Sequence, residues 1–323
     1  MRNLVTPTVA LIGVFLAAPA LAQTAPEQSL LVVGALQIGS AADLEVKGID
    51  INVTIGSVVY SYLLKNTGDR ELSLTASVAM PELKASADSS QTWVLASNNP
   101  ENPVGLTVTA AGEPVTPKAE VHAYALGLDR TAEIRAERLP LIPFGPEAGR
   151  ALAALPADTV GRLAALGVIS PRDPDHPQEP LVADWLLDSV LSWQQALPAG
   201  KDVPLVVKFT PVKGEYRLLQ ADLDDLDSMK AEICLQPQTL GTLQSRLKGG
   251  GAWKVIDMTV AVDGPAHWID NPAPSLSVQK PQADAIVAFC GMDSKTANRP
   301  TVLGVTPDDA DEVRIVIFAP AAK

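Results

Sequence analysis

Two stretches of strict alternation dominate the chain. Val58, Tyr60, Tyr62 and Leu64 take every second position of one, and Leu72, Leu74, Ala76, Val78 and Met80 every second position of the next. A period of two is the mark of a half-buried β-strand. On the second stretch Glu71, Ser73, Thr75 and Ser77 make the opposite face polar, so one face is buried and one is wet. Asn66-Thr67-Gly68-Asp69 supplies turn residues between the two, and together they predict a β-hairpin. Pro81 stops the second strand, because it has no N–H to give to a ladder. Shorter strands are expected over residues 30–38, 49–55, 92–96, 105–110 and 120–126, so this part of the chain reads as an antiparallel sandwich and not a βαβ sheet.

The pattern then changes. Asp129 can cap a helix that runs to Glu137 and ends at Leu139-Pro140; Pro146 can open a second through Leu155. Residues 156–166 predict a third, with Val160, Leu163 and Ala164 as its apolar stripe and Gly167 as its stop. Four prolines fall within residues 171–180, which predicts an extended, exposed connector. Alternation returns in 190–197 and in Val203, Leu205, Val207 and Phe209, and Pro198-Ala199-Gly200-Lys201 between them suggests a second hairpin. Pro237 can begin a helix to Leu247, closed by Gly249-Gly250-Gly251. Residues 253–262, 285–289 and 312–318 are further strands, and no repeat of fixed period is visible.

The expected fold is therefore mainly β with an α+β character: antiparallel β-sandwich-like regions with a small helical insertion. Its parts are a leader over 1–22, an N-terminal β-rich domain over 23–126, a helical insert and proline-rich connector over 127–180, and a C-terminal β-rich domain with one helix over 181–323. The leader rests on Arg2, the apolar run of residues 9–18, and the small residues of Ala20-Leu21-Ala22 before the expected cleavage after Ala22. The mature chain would begin at Gln23, in the periplasm or outside the cell. The following residue is not Cys, which argues against a lipid anchor.

Charge and cysteine count narrow the partners. A formal net charge of −12 repels phosphate backbones, so nucleic acid and anionic membranes are poor partners. After the leader no apolar stretch is long enough to span a bilayer; residues 148–169 are interrupted by Arg150, Pro156, Asp158 and Arg162. Cys234 and Cys290 are the only cysteines, and an even count in an oxidising compartment is most economically read as one disulfide. Neither has a nearby His or a C-x-x-C partner, so a metal-thiolate or redox pair lacks support.

Candidate chemistry is sparse. Asp222-Leu223-Asp224-Asp225-Leu226-Asp227 is rich in hard ligands but fails a calcium loop, because Asp227 stands where the sharp turn needs Gly and Ile233 where it needs Glu. It is read as a solvated acidic turn, as is Asp308-Asp309-Ala310-Asp311-Glu312. His122, His176 and His267 are far apart in sequence and give no zinc spacing. No G-x-S-x-G elbow occurs, and Gly291-Met292-Asp293-Ser294-Lys295-Thr296 lacks the second glycine of a phosphate loop. Trp185, Trp193, Trp253 and Trp268 could line a groove for carbohydrate or peptide; aromatic residues in strands are more often core.

Ordered segments along the mature chain give a resemblance. Tyr62-x-x-x-Asn66-Thr67, Val78-Ala79-Met80-Pro81, Ser192-Trp193-Gln194-Gln195-Ala196-Leu197-Pro198-Ala199-Gly200, Ala252-Trp253-Lys254 and Ala288-Phe289-Cys290-Gly291 resemble an exported bacterial family known as domain of unknown function 4424. Met80 and Leu197 stand where the resemblance leads one to expect bulkier aromatic residues. The resemblance implies export and a β-rich fold, and it carries over no catalytic residue. The first pair of strands is also similar in style to the N-terminal sandwich modules of adhesion-type and inter-α-trypsin-inhibitor-type proteins, a likeness of fold only. The expected function is a non-enzymatic binding, scaffold or assembly-support module of the cell envelope with a protein partner and no cofactor. The alternative is a periplasmic hydrolase with a site assembled from distant Asp, Glu, Ser or His residues.

Overall fold

The alternating stretches form strands where the pattern places them, but they pair differently. The computed structural model describes residues 31–85, 94–170, 179–262, 273–305 and 311–321. In chain order its first strands are β1 (Gln37–Ile38), β2 (Leu44–Val53), β3 (Val58–Asn66), β4 (Leu72–Ala79), β5 (Leu83–Lys84), β6 (Thr107–Ala110), β7 (Glu113–Val115), β8 (Lys118–Ala125) and β9 (Leu128–Asp129). Three helices follow: α1 (Thr131–Ala136), α2 (Gly145–Ala153) and α3 (Ala157–Ala165). Then come β10 (Leu186–Leu197), β11 (Asp202–Phe209), β12 (Gly214–Leu218), α4 (Leu223–Glu232) and α5 (Pro237–Lys248). The chain closes with β13 (Ala252–Ala261), β14 (Ser275–Gln279), β15 (Ile286–Ala288), β16 (Thr301–Val305) and β17 (Glu312–Ala321).

Among the described residues the strands form three sheets. The first runs β1-β4-β10-β8-β9, with β5 also on β10; the second runs β16-β14-β2-β3-β11-β6-β7; the third runs β12-β13-β17-β15. Neighbours are antiparallel except β14 and β2, which are parallel. Neither predicted hairpin forms. β3 lies between β2 and β11 while β4 lies between β1 and β10, and β10 and β11 part in the same way. Both turns are arches that cross from one sheet to the other. The physical reason is that alternation only demands a cover for the apolar face, and stacking two sheets supplies one as well as pairing and a later layer would.

β10 and β11, expected among the C-terminal strands, thus take inner positions in sheets that the N-terminal strands build, and β14 and β16 extend the second sheet. The segment between β9 and β10 carries α1 to α3. Val58, Tyr60, Tyr62 and Leu64 of β3 and Leu187, Leu191, Trp193 and Leu197 of β10 join one apolar core with Ile256, Met258 and Val260 of β13. Met80 and Leu197 are buried there too, so smaller side chains fill the places where aromatic ones were expected. Tyr60 donates to the Ala261 carbonyl at 2.8 Å, fastening the second sheet to the third.

β13 serves two cores. Its other face, Trp253 and Val255, packs with Val316 and Phe318 of β17 against Leu226, Met229, Leu243 and Leu247 of α4 and α5. The acidic stretch at 222–227, expected as a turn, is therefore mostly helix. Leu226, Met229 and Ile233 recur at helical spacing and are buried, and that stripe outweighs the charges between them. On the same side of the third sheet the buried Asp257 accepts from Arg314 Nε at 3.1 Å and Nη2 at 2.5 Å, and Arg314 also bonds Glu232 at the end of α4.

The arches meet at one end of the sandwich. Asn66 is fully buried, and its side-chain amide donates to the Arg70 carbonyl at 2.7 Å and to the Leu197 carbonyl at 2.8 Å. Its Oδ1 accepts from the Gly68 amide at 2.9 Å, and its own N–H donates to the Lys201 carbonyl at 3.2 Å. One side chain therefore holds two turns that belong to different sheet crossings. Thr67 ties in a third loop through its N–H to the Asp43 carbonyl at 2.8 Å.

Candidate interaction surface

β8 buries Ala123 and Ala125 and turns Glu120, His122 and Tyr124 outward, as strand alternation requires. It is joined to β9 by Leu126 and Gly127, both left-handed with φ of +51° and +74°. Two successive positive φ values make the tight turn whose twist suits a hairpin, and Asn-Gly is the sequence that forms it at least cost. Leu126 accepts that conformation against the steric preference of an L-residue, at about 1–2 kcal/mol. Yet it is 80% exposed, and Leu128 beside it is 55% exposed.

A charged clasp backs the turn. His122 Nδ1 lies 2.8 Å from Asp129 Oδ2, and Nε2 lies 3.2 Å from Glu120 Oε1. The Asp129 bond, then the Glu120 bond, raises the imidazole pKa above its ordinary value. Asp129 is pulled down to about 2, first by the Thr131 hydroxyl and amide that it accepts, then by His122. Thr131 Oγ1 donates to Asp129 Oδ1 at 2.6 Å and accepts from the Ala123 amide at 2.8 Å, while the Arg130 amide reaches the Ala123 carbonyl at 2.7 Å. The clasp thus bolts β9 and the start of α1 onto β8. With both ring nitrogens facing carboxylates, His122 fastens β8 to β9.

A second exposed apolar pair, Leu303 and Val305, sits on β16, the end strand of the second sheet. Its backbone is covered by residues 291–293, since the Asp293 amide donates to the Leu303 carbonyl and the Val305 amide to the Gly291 carbonyl. A small cleft of about 200 Å³ lies between Asn98 and Pro100 on one side and the stretch from Pro140 to Ala148 on the other.

The other sequence candidates do not gather at a common site. Trp185, Trp193 and Trp253 are buried, their indole N–H groups bonded to the Leu141 carbonyl, Gln195 Oε1 and the Leu243 carbonyl. Cys234 and Cys290 are brought to disulfide distance, with sulfurs 2.05 Å and Cα atoms 4.9 Å apart, joining the end of α4 to the end of β15. His176, His267, Trp268, residues 308–310, most of the proline-rich connector and the expected leader lie outside the described residues. Among the described residues no cluster of three or more His, Cys, Asp or Glu could hold a metal, and no helix is long and apolar enough to cross a membrane. The sequence pattern does not reveal the Leu126 turn, because the alternation of β8 ends there; the one signal it carries is Gly127 between two apolar residues.

Fold and surface together define a β-rich, disulfide-linked protein of stacked, mainly antiparallel sheets with a projecting apolar turn. The chain belongs to the family described as Domain of unknown function (DUF4424), which matches residues 27–310. Among solved structures it is similar to a protein of Legionella pneumophila provisionally called a nutrient binding protein, at 9% identity and a TM-score of 0.39, covering 89% of this chain and 70% of that one. No curated protein matches.

Proposed function

We propose that the chain is an exported, non-enzymatic binding, scaffold or assembly-support module of the bacterial cell envelope, acting through a protein partner. The observation that carries this reading is the pair of leucines at the β8–β9 turn, held open to solvent on a support clasped by His122, Asp129 and Thr131. Exposed apolar groups on a rigid base are what a protein interface uses. Export is supported by the leader-like composition of residues 1–22 and by the Cys234–Cys290 link, which suits an oxidising compartment.

The test is recovery of the mature, oxidised chain from its own envelope after mild cross-linking, with mass spectrometric identification of what accompanies it. A stoichiometric protein partner is the expected result. Recovery of the chain alone would sink the binding reading. The N-terminus of the recovered chain checks the address, since cleavage after Ala22 leaves Gln23 first.

A further inference from the structure

Resting on that reading, we propose that the Leu126–Leu128 turn is the docking knob of the module, and that its partner is a protein carrying an apolar pocket flanked by Lys or Arg. Three observations point the same way. First, the fold does not need a leucine at the tip. Asn or Gly would adopt φ of +51° more cheaply, and burial returns little for a side chain that is 80% exposed. Strain kept without a structural reward marks a position held for another purpose.

Second, the knob is seated. A Cβ built on Gly167 would lie 2.5 Å from Leu126 Cγ and Cδ1, so one side of the leucine rests in the space that the glycine leaves at the end of α3. Gly167 itself has φ of +71°, so the conformation and the missing side chain are required together. A pre-ordered anchor loses little entropy on docking.

Third, the surroundings select charge. Asp129, on the strand after the turn, and Glu120, further back on β8, set two carboxylates against the one imidazole of His122, their side chains 46% and 78% exposed, within a chain of net charge −12. A basic rim complements that field, whereas an anionic lipid surface is repelled by it. A protein is therefore favoured over a membrane as the occupant.

The experiment places a diazirine photo-cross-linking residue at position 128 of the mature oxidised protein and irradiates it in its own envelope fraction. A second set carries L126N, which suits a left-handed turn and removes the apolar tip. The expected result is a protein adduct whose mapped peptide combines apolar residues with Lys or Arg, with a yield that falls about tenfold or more in L126N, the scale of a hot-spot loss. The thermal midpoint of L126N should be unchanged or higher, which separates docking from a structural role. Equal adduct yields in L126N and wild type, or an adduct peptide rich in acidic residues, would overturn the knob while leaving the binding reading intact. A lipid adduct, or turn-dependent flotation with phosphatidylethanolamine–phosphatidylglycerol vesicles, would replace the protein by a membrane and overturn the proposal. Absence of any partner by cross-linking throughout the protein would remove the underlying reading as well.

Discussion

Replacing Asn66 by Ala should unfasten two arches at once. The wild-type side chain satisfies two carbonyls and one amide, and the Leu197 carbonyl is buried where water cannot replace the lost donor. An orphaned buried carbonyl costs about 1–3 kcal/mol, and each of the two partly buried bonds contributes about 0.5–1.5 kcal/mol, so N66A should lose roughly 2–6 kcal/mol. That is a large part of the stability of an ordinary domain. Urea unfolding of the oxidised protein reads the loss as a lower midpoint with unchanged slope. N66D sharpens the test, because at neutral pH it sets a carboxylate against two carbonyl oxygens. Burial and those oxygens raise the pKa of the N66D carboxyl above the usual value of about 4, so its deficit relative to wild type should shrink as pH falls below that raised value and one proton returns to donate. A loss below about 1 kcal/mol in N66A, or an N66D deficit independent of pH, would refute the claim that this side chain holds the sandwich end together.

Three further outcomes follow from the geometry. The raised pKa of His122 contributes stability that is full below the ordinary imidazole value of 6.5 and fades as pH rises through the folded one, while Asp129, at about 2, contributes above 3.8 and fades as pH falls toward 2. The extra amide-exchange protection of Ala123, Arg130 and Thr131 in wild type over H122A should therefore peak between those limits; a difference constant from acid to alkaline pH would contradict it. Removing the Cys234–Cys290 link, which closes 56 residues, should cost about 4 kcal/mol on the chain-entropy estimate, read from urea midpoints of wild type and the C234A/C290A pair. D257A should cost about 3–5 kcal/mol by leaving Arg314 without its main partner, and D257A/R314M should recover part of it; a double variant as weak as the sum of the singles would show that the two do not act as a pair.

Strand positions were legible because a buried face writes its period into the sequence, as in Val58, Tyr60, Tyr62 and Leu64. Pairing was not, since the same alternation serves a strand beside its neighbour and a strand stacked over it, and turn residues at 66–69 fit an arch as well as a hairpin. The α4 helix was hidden for a related reason. The charges of Asp222, Asp224 and Asp227 obscured a stripe of Leu226, Met229 and Ile233 that becomes decisive only once Trp253 and Phe318 are there to receive it. The disulfide needed no geometry, only a count and a compartment.

Two residues that break local rules show how structure and function separate. Asn66 is polar and buried, against its usual preference, but three bonds to two arches return the cost, so its role ends within the fold. Leu126 breaks two rules together, apolar yet open to water and β-carbon-bearing yet left-handed, and the fold returns only a seat against Gly167. Local rules agree with one another through most of a sequence that folds, and a violation without internal compensation is where a demand from outside the fold becomes visible. By that criterion the end of the sandwich is architecture, and the β8–β9 turn is where the proposed docking site belongs.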